Sequence, residues 1–246
     1  FIYDGQTNPV LKNINFELKP KEKIAIVGHN GAGKTTLIKL LLRLYDVTDG
    51  EILLDGENIK KYNIQEYRKL FATVFQDCRV MAMPVIDNVI MGNDVTKEKA
   101  VDALKKSGIF SKVASLKNGI DTNVTNEFDD EGIIFSGGEK QKISIARAYA
   151  KADIAQIAIL DEPSSALDPM SESLMFEKMM DVCKNMTVIF ISHRLSSAKI
   201  ADRIFMIDDG EIIEQGSHTE LMKLNGKYAE MFAKQAENYV DRSVAL

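Results

Sequence analysis

The chain lacks the features that define several classes of protein. Among its 246 residues, no apolar run approaches the roughly 20 residues needed to span a bilayer. Cys78 and Cys183 are the only cysteines; they show no metal-site spacing, and in a reducing cytosol they have no reason to pair. Internal repeats, low-complexity segments and long heptad stretches are also absent. If the chain serves a membrane, we therefore expect it to do so by docking.

The charge balance argues against a nucleic-acid-binding surface. The chain has 31 basic and 36 acidic residues and a net charge of −5. Its basic residues are mostly lysine, with only seven arginines. A nucleic-acid-binding domain typically carries a basic face instead. With 45% hydrophobic residues at this length, one large globular unit with an attached lobe is expected.

A glycine-rich loop near the N-terminus predicts phosphate binding. Residues 28–35 read GHNGAGKT and fit the pattern G-x-x-x-x-G-K-[ST]. An apolar run at 23–27 predicts a buried strand before the loop, and residues 35–44 predict a helix after it. Such a loop directs backbone N–H groups and the helix N-terminus at phosphates. We expect Lys34 to reach the β- and γ-phosphates and Thr35 to offer its hydroxyl to Mg²⁺. The predicted nucleotide-binding residues are Gly28, Asn30, Gly31, Ala32, Gly33, Lys34, Thr35 and Thr36.

A second candidate site lies at the end of a predicted buried strand. Residues 157–160 are apolar, and Asp161, Glu162 and Pro163 follow them. Open parallel sheets bind ligands at the carboxyl ends of their strands. Asp161 is the expected Mg²⁺ ligand, directly or through water, and Glu162 the expected general base. Taken alone, two acids before a proline are as typical of a solvated turn.

A third element combines a capping signal with two glycines. Residues 135–139 read FSGGE, in which Ser136 and Glu139 fit a capping box at the start of a helix. Each glycine costs a helix about 1 kcal/mol relative to alanine. Close approach of backbone N–H groups to an anion is a reason to accept that cost. We therefore interpret Ser136, Gly137, Gly138 and Glu139 as a second phosphate-binding element.

The remaining pattern indicates a mixed α/β organisation. Ile14, Phe16 and Leu18 alternate with polar residues and predict a half-exposed strand, and Asp55-Gly56 predicts a tight turn. Thr96 is predicted to open a helix in a region that lacks strand-like runs. Strand–helix alternation returns over residues 151–217, as in a parallel sheet, and the last thirty residues are predicted to be helical.

These motifs, in this order, resemble the nucleotide-binding domain of an ATP-binding cassette (ABC) transporter over essentially all 246 residues. In that family the third element is usually Leu-Ser-Gly-Gly-Gln, so Phe135 and Glu139 depart from it while residues 136–138 do not. The resemblance implies an α/β P-loop NTPase fold with a mixed sheet core, an antiparallel β layer and an inserted helical lobe. The ATP-binding core would comprise residues 1–76 and 151–246, and the helical lobe residues 77–150.

The resemblance also implies roles for residues that alone would be unremarkable. Tyr3 matches the aromatic residue that stacks on adenine, and Gln76 the glutamine that senses Mg²⁺ and water. Asp168, in the segment 165–168, matches the loop that communicates across a dimer, and His193 the histidine that contacts the γ-phosphate. The implied catalytic residues are Lys34, Gln76, Glu162 and His193. The implied Mg²⁺ ligands are Thr35, Gln76 and Asp161.

The implied function is ATP hydrolysis that drives export across a membrane. The implied partners are a second nucleotide-binding domain, identical or not, and a transmembrane domain, with no nucleic acid expected. The segments after His193 are similar to those of exporters in which this domain is fused behind the membrane domain. Because Phe1 is not methionine, we expect an excised or truncated domain at the cytoplasmic face of the membrane. Residues 81–89 and 126–132 depart most from common exporters.

Three other functions are compatible with parts of the pattern. A mechanical ATPase of chromosome maintenance or repair would need a long coiled-coil insertion, which the sequence lacks. A regulatory module that binds ATP without hydrolysis would not need Lys34, Asp161, Glu162 and His193 together. A phosphate-loop kinase would not need the serine-glycine-glycine turn.

Overall fold

The computed structural model describes residues 1–162, 169–192 and 195–244; the side chains at 169–174 and 238–244 are outside this description. In these ranges the strands are β1 (Lys23–Val27), β2 (Leu53–Leu54), β3 (Glu57–Asn58), β4 (Phe71–Val74), β5 (Ile157–Asp161), β6 (Thr187–Ile191), β7 (Arg203–Asp208) and β8 (Glu211–Gly216). The α-helices there are α1 (Lys34–Leu41), α2 (Ile64–Lys69), α3 (Val85–Ile90), α4 (Lys97–Lys106), α5 (Phe110–Ala114), α6 (Gly137–Ala150), α7 (Pro169–Val182), α8 (Leu195–Ala198), α9 (His218–Leu224) and α10 (Lys227–Val244).

The chain divides into two compact units, the first formed by Phe1–Arg68 and Thr187–Leu246. In this unit β1 runs parallel to β6 on one side and to β7 on the other, and β8 pairs antiparallel with β7. The β1 residues from Ile24 to Val27 are at most 1% exposed, as expected for a strand buried on both faces. The residues that follow β1 therefore emerge at the carboxyl edge of three parallel strands.

Turn residues shape the rest of the first unit. Strands β2 and β3 form a hairpin in which Asp55 and Gly56 have φ values of 52° and 82°, which confirms the predicted tight turn and suits a type I′ geometry. Helix α1 ends at Leu41, earlier than predicted, and Arg43 has a φ of 51°. The left-handed conformation at Arg43 cannot continue a right-handed helix.

The prediction of a strand over residues 14–18 was wrong. Ile14, Phe16 and Leu18 are more buried than the residues between them, but the segment belongs to no strand. Alternating hydrophobicity reports which side of an extended chain faces the protein, and it does not require that the backbone join a hydrogen-bonded ladder.

The second unit comprises Lys69–Met186. Strands β4 and β5 pair in parallel, with Phe71 opposite Ile157 and Val74 opposite Leu160. Helix α6 packs against β4 and against α3 and α4. Helix α4 begins where predicted, since the Thr96 hydroxyl accepts a hydrogen bond from the Lys99 amide at 3.4 Å. The proposed boundaries of the helical lobe, 77–150, remain a prediction.

Candidate functional site

The phosphate loop of the first unit leads from β1 into α1. Gly33 is the N-cap of α1 with φ of 104°, and no side chain caps this terminus. The first turn of α1 also contains no acidic residue. Because the first N–H groups of a helix have no partners within the helix, an end without a side-chain cap is suited to an anion.

Two of the loop glycines are required by close contacts within the first unit. A Cβ atom at Gly28 would lie 2.1 Å from the carbonyl oxygen of Ile207. A Cβ atom at Gly33 would lie 2.6 Å from Cδ2 of Leu11. Gly28 and Gly33 also have φ values of 149° and 104°, which side chains disfavour. The loop therefore has its shape because β7 and the segment before β1 leave no room for side chains.

The side chains at the start of α1 divide into buried and exposed groups. Lys34 is 6% exposed, and its Nζ donates to the carbonyl oxygens of Gly28 and His29, both at 2.8 Å. Thr36 is buried, whereas Thr35 is exposed. The ammonium group therefore lies against the loop backbone, where a phosphate chain is expected, and the Thr35 hydroxyl is open to a metal ion.

An aromatic pocket surrounds Tyr3 in the same unit. The pocket has a volume of about 540 Å³, and its lining includes Phe1, Tyr3 and Tyr45. The Tyr3 hydroxyl lies 3.0 Å from the hydroxyl of Thr36. The residue predicted to stack on adenine is thus hydrogen-bonded to the helix that begins at the phosphate loop.

The second unit brings three predicted catalytic or metal-binding residues to one edge of its strand pair. Gln76 comes two residues after Val74 of β4, and Glu162 two residues after Leu160 of β5. Since Val74 and Leu160 are paired in a parallel register, both chains leave the strands on the same side. Asp161, the last residue of β5, is 3% exposed. The backbone at Gln76, Asp161 and Glu162 therefore lies at the carboxyl edge of this strand pair.

Glu162 combines burial with an unfavourable backbone conformation. The residue is 9% exposed and has a φ of 48°. Left-handed backbone is uncommon outside glycine, asparagine and aspartate, and such strain is concentrated at functional sites. Strain at the expected general base supports a role that depends on how its carboxylate is aimed.

The serine-glycine-glycine turn forms the capping box that the sequence predicts. The Ser136 hydroxyl accepts from the Glu139 amide at 3.4 Å, and the Glu139 carboxylate accepts from the Ser136 amide at 2.8 Å. The same carboxylate accepts from the Ser136 hydroxyl at 3.0 Å. These hydrogen bonds, chiefly the one from the backbone amide, lower the pKa of Glu139. Cβ atoms at Gly137 and Gly138 would meet nothing within 4 Å, so packing does not account for these two glycines.

A network around Arg147 holds the loop that follows Gln76, and the sequence did not predict it. Arg147, on α6, donates to the Asn88 carbonyl at 2.6 Å, the Asn88 side-chain oxygen at 2.8 Å and the Arg79 carbonyl at 2.7 Å. Asn88 is fully buried, and its amide nitrogen donates to the carbonyls of Met81 and Met83 at 3.0 Å each. The helix that starts at Ser136 is therefore hydrogen-bonded to the loop after Gln76.

His193 and Asp168, two further predicted site residues, lie outside the described residues. The backbone before His193 is described as far as Ser192, and β6 ends at Ile191, which is paired with Ile26 of β1.

The side chains present suit ATP and Mg²⁺ as ligands. In the described part of the chain, no group of three or more His, Cys, Asp or Glu side chains forms a metal site. Within the first unit Thr35 offers a hydroxyl oxygen, and within the second unit Gln76 and Asp161 offer amide and carboxylate oxygens. Mg²⁺ prefers hard oxygen ligands and is commonly held by one or two protein groups together with phosphates, so the oxygen atoms available in each unit are of the type that suits it.

Comparison with known families decides the identity of the fold. The family described as "ABC transporter" matches residues 11–165, which is more than half of the chain. The chain belongs to the ABC transporter family. This result confirms the resemblance stated from the motifs, and with it ATP as the ligand and an ATPase domain as the type of enzyme.

Individual relatives of this ABC domain match it over nearly its whole length. It is 39% identical over 235 residues to an ATP-dependent lipid A-core flippase of Methylobacillus flagellatus, covering 95% of this chain and 39% of that protein. It is 40% identical over 250 residues to the subtilin transport ATP-binding protein SpaT of Bacillus subtilis, covering 98% of this chain and 39% of that protein. The chain thus spans about two fifths of the length of these relatives.

A solved structure confirms the fold class. A bacterial Atm1-family ABC exporter with ATP bound is similar with a TM-score of 0.85 and 36% sequence identity, over 96% of this chain and 40% of that one. None of the helices in the described ranges has both the length and the apolar character needed to cross a bilayer.

Proposed function

We propose that this ABC domain powers export across a membrane by binding and hydrolysing ATP between two nucleotide-binding domains. The observation that carries the proposal is the presence of two glycine-rich helix starts in one chain, at Gly33 and at Ser136. One suffices to bind a nucleoside triphosphate. The second, exposed at Ser136 and Gly137 and with room for a Cβ atom at Gly137 and Gly138, is suited to close over the phosphate of another copy.

On this proposal the first unit holds the nucleotide. Tyr3 stacks on the adenine, and residues 28–36 surround the phosphates with backbone N–H groups and the N-terminus of α1. Lys34, already placed against the loop backbone, turns its ammonium group to the β- and γ-phosphates. These fixed positive groups stabilise the negative charge that spreads over the phosphoryl oxygens during transfer.

Water activation is assigned to the acidic strand end. Glu162 accepts the proton of the attacking water, while Gln76 and His193 orient that water. Thr35, Gln76 and Asp161 would hold Mg²⁺, which supplies positive charge to the phosphate oxygens. Ser136, Gly137 and Gly138 of the second domain contact the γ-phosphate, and Asp168 communicates between the two domains. Loss of the γ-phosphate removes the bridge, so ATP favours the closed pair and hydrolysis the open pair.

The partners are a second nucleotide-binding domain, identical or not, and a transmembrane domain. The relatives are named for lipid A-core and subtilin, two chemically different cargoes, yet each matches nearly all of this chain. A shared domain with unlike cargoes supports a role in energy supply, with cargo selection elsewhere. We place the domain at the cytoplasmic face of the membrane, where ATP is available.

The test is the rate of Mg·ATP hydrolysis as a function of protein concentration. We expect the rate to rise faster than linearly, because each active site needs two chains. The Glu162→Gln variant keeps ATP binding and loses turnover, and with ATP it elutes as a dimer in size-exclusion chromatography. Glu211→Gln, which changes an exposed acid of β8, is the matched control and should behave as wild type.

Other results would contradict the proposal in distinct ways. A rate linear in protein from a lasting monomer would mean that each chain completes its own site. Full activity or lost ATP binding in Glu162→Gln would contradict the role of Glu162. A rate stimulated by DNA would favour the mechanical ATPase, and ATP binding without turnover at any concentration would favour the regulatory module.

A further inference from the structure

Tyr3 belongs to no strand, so other contacts set its orientation. Within the described residues, the chain before Lys23 contains no helix or strand. A residue in such a segment has no ladder of hydrogen bonds to fix its backbone. Tyr3 nonetheless lines the aromatic pocket, and its hydroxyl lies 3.0 Å from the hydroxyl of Thr36 in helix α1. The Phe1 ring contacts the Tyr3 ring at 4.8 Å between centroids, and the Gln6 amide donates to the Tyr3 carbonyl at 3.0 Å. Further contacts come from the turn that follows α1.

Tyr45 contacts the Tyr3 ring edge-on. The two ring centroids are 5.2 Å apart, and the ring planes meet at 90°. Edge-to-face packing of this kind is a preferred arrangement of aromatic pairs because the positive edge of one ring meets the negative face of the other. Tyr45 is itself 44% exposed, so its ring is not needed to fill a core.

Thr48 holds the residue before Tyr3 at both of its backbone groups. The Ile2 amide donates to the Thr48 hydroxyl at 3.0 Å. The same hydroxyl donates to the Ile2 carbonyl oxygen at 3.4 Å. The Thr48 side chain thus pairs with both backbone groups of Ile2, as a neighbouring strand would do in a sheet. Its two bonds fix the direction in which the chain delivers Tyr3.

The turn that carries Tyr45 and Thr48 is itself anchored. Arg43 donates to the carbonyl oxygens of Ile59 and Tyr62, each at 3.0 Å, and pairs with Asp46 at 3.3 Å. Arg68 in turn donates to the Arg43 carbonyl at 2.7 Å. A turn fixed at this many points can act as a rigid support for the N-terminal segment beside it.

We propose that Tyr45 and Thr48 are positioning residues that set the plane of Tyr3 for the purine base of the nucleotide. The assignment rests on the proposed function, in which Tyr3 stacks on that base. Tyr45 supports the ring through its edge-to-face contact, and Thr48 supports the backbone through two hydrogen bonds. Neither residue belongs to the phosphate loop, residues 28–35, where the phosphates are proposed to bind. Their contribution therefore applies to ligands that carry a base and not to a bare phosphate chain.

The experiment is isothermal titration calorimetry with two ligands, Mg·ATP and magnesium tripolyphosphate, which lacks the base and sugar. In Tyr45→Ala we expect ATP affinity to fall about three- to tenfold, the range of one aromatic contact, with tripolyphosphate affinity unchanged. Tyr45→Phe keeps the ring and should bind ATP as wild type does. Leu44→Ala is the matched control, because Leu44 is 45% exposed on the same turn, and it should leave both affinities unchanged.

The Thr48 variants separate the hydroxyl from the bulk of the side chain. Thr48→Val removes both hydrogen bonds at nearly constant volume, and we expect ATP affinity to fall about two- to fivefold, as for a solvent-accessible pair of bonds. Thr48→Ser restores the hydroxyl and should restore the affinity. Tyr3→Ala sets the upper limit for the loss of ATP affinity, because no variant of a positioning residue should lower that affinity more than removal of the Tyr3 ring does.

Two results would overturn the assignment while leaving the proposed function intact. One is wild-type ATP affinity in both Tyr45→Ala and Thr48→Val. The other is an equal loss for ATP and tripolyphosphate, which would show that these residues shape the phosphate loop and not the base site. A wild-type chain that binds neither ligand would overturn the proposed function and this assignment with it.

Discussion

The two glycine-rich helix starts differ in how the free N–H groups of the first helical turn find partners. At α1, the N-cap is Gly33, no side chain caps the terminus, and the first turn holds no acid. At α6, Ser136 and Glu139 form a complete capping box. The N-terminus of α1 is left for a ligand to complete, whereas that of α6 is complete without one. A helix that must persist while its binding partner comes and goes benefits from a cap of its own.

A third helix start shows how little the capping signal says about function. Ser217 and Glu220 form the same box at α9, with bonds of 2.8 Å from the Ser217 amide and hydroxyl to the carboxylate. Glycine follows the cap at α6 and histidine follows it at α9. The cap therefore accounts for stability at both helices, and only the glycines mark α6 as a binding element.

The largest expected effect separates glycines that are required by packing from glycines that are not. Gly28→Ala places a Cβ atom 2.1 Å from the Ile207 carbonyl oxygen, and we expect it to lower the free energy of unfolding by about 3 kcal/mol or more. Gly137→Ala meets nothing within 4 Å and should raise that free energy by up to about 1 kcal/mol. Urea unfolding followed by circular dichroism measures both.

The stabilised Gly137→Ala variant should nevertheless lose ATP hydrolysis. Its new methyl group lies on the turn that we propose approaches the γ-phosphate of the partner domain. Full activity in this variant would show that the glycine at position 137 serves neither packing nor phosphate contact. Equal stability of the two variants would contradict the comparison of the helix starts.

The next effect compares the two capping boxes directly. Ser136→Ala and Ser217→Ala each remove one N-cap hydroxyl, and each should cost about 1 kcal/mol of stability in the same urea assay. Only Ser136→Ala should lower the rate of ATP hydrolysis, because only that hydroxyl is assigned to the site. If both variants lose activity in proportion to their stability, Ser136 is a cap and nothing more.

Local signals in the sequence were sufficient for the helix starts and turns. The capping box at Ser136, the cap at Thr96 and the turn at Asp55 depend on residues within four positions of one another, and the structure confirms all three. The strand predicted around Phe16 was wrong because a ladder depends on distant partners that a period of two does not reveal.

The candidate site shows the same division. The phosphate loop and the acid pair at Asp161 follow from motifs in strand–loop context. The bonds from Arg147 to Asn88 cross 59 positions, and those between Ile2 and Thr48 cross 46. A polar side chain seen in sequence does not disclose which of many carbonyl groups it will reach, so these supports were found only in the structure.

The smallest effect concerns the charge in the α6 capping box. The hydrogen bond from the Ser136 amide, followed by that from its hydroxyl, lowers the pKa of Glu139, against an opposing effect of burial. A carboxyl group whose pKa is lower in the folded state stabilises the fold above its unfolded pKa, near 4.3, and loses that contribution as pH falls through the folded value.

Glu139→Gln keeps a hydrogen-bond acceptor but has no charge to lose. We expect the melting temperature of wild type to exceed that of Glu139→Gln at pH 7, with the gap closing below pH about 4. Glu220→Gln should reproduce this closing gap, because the pKa of Glu220 is lowered by the same kind of bond from Ser217. A gap that is constant with pH at both helices would show that shape, and not charge, stabilises the two boxes.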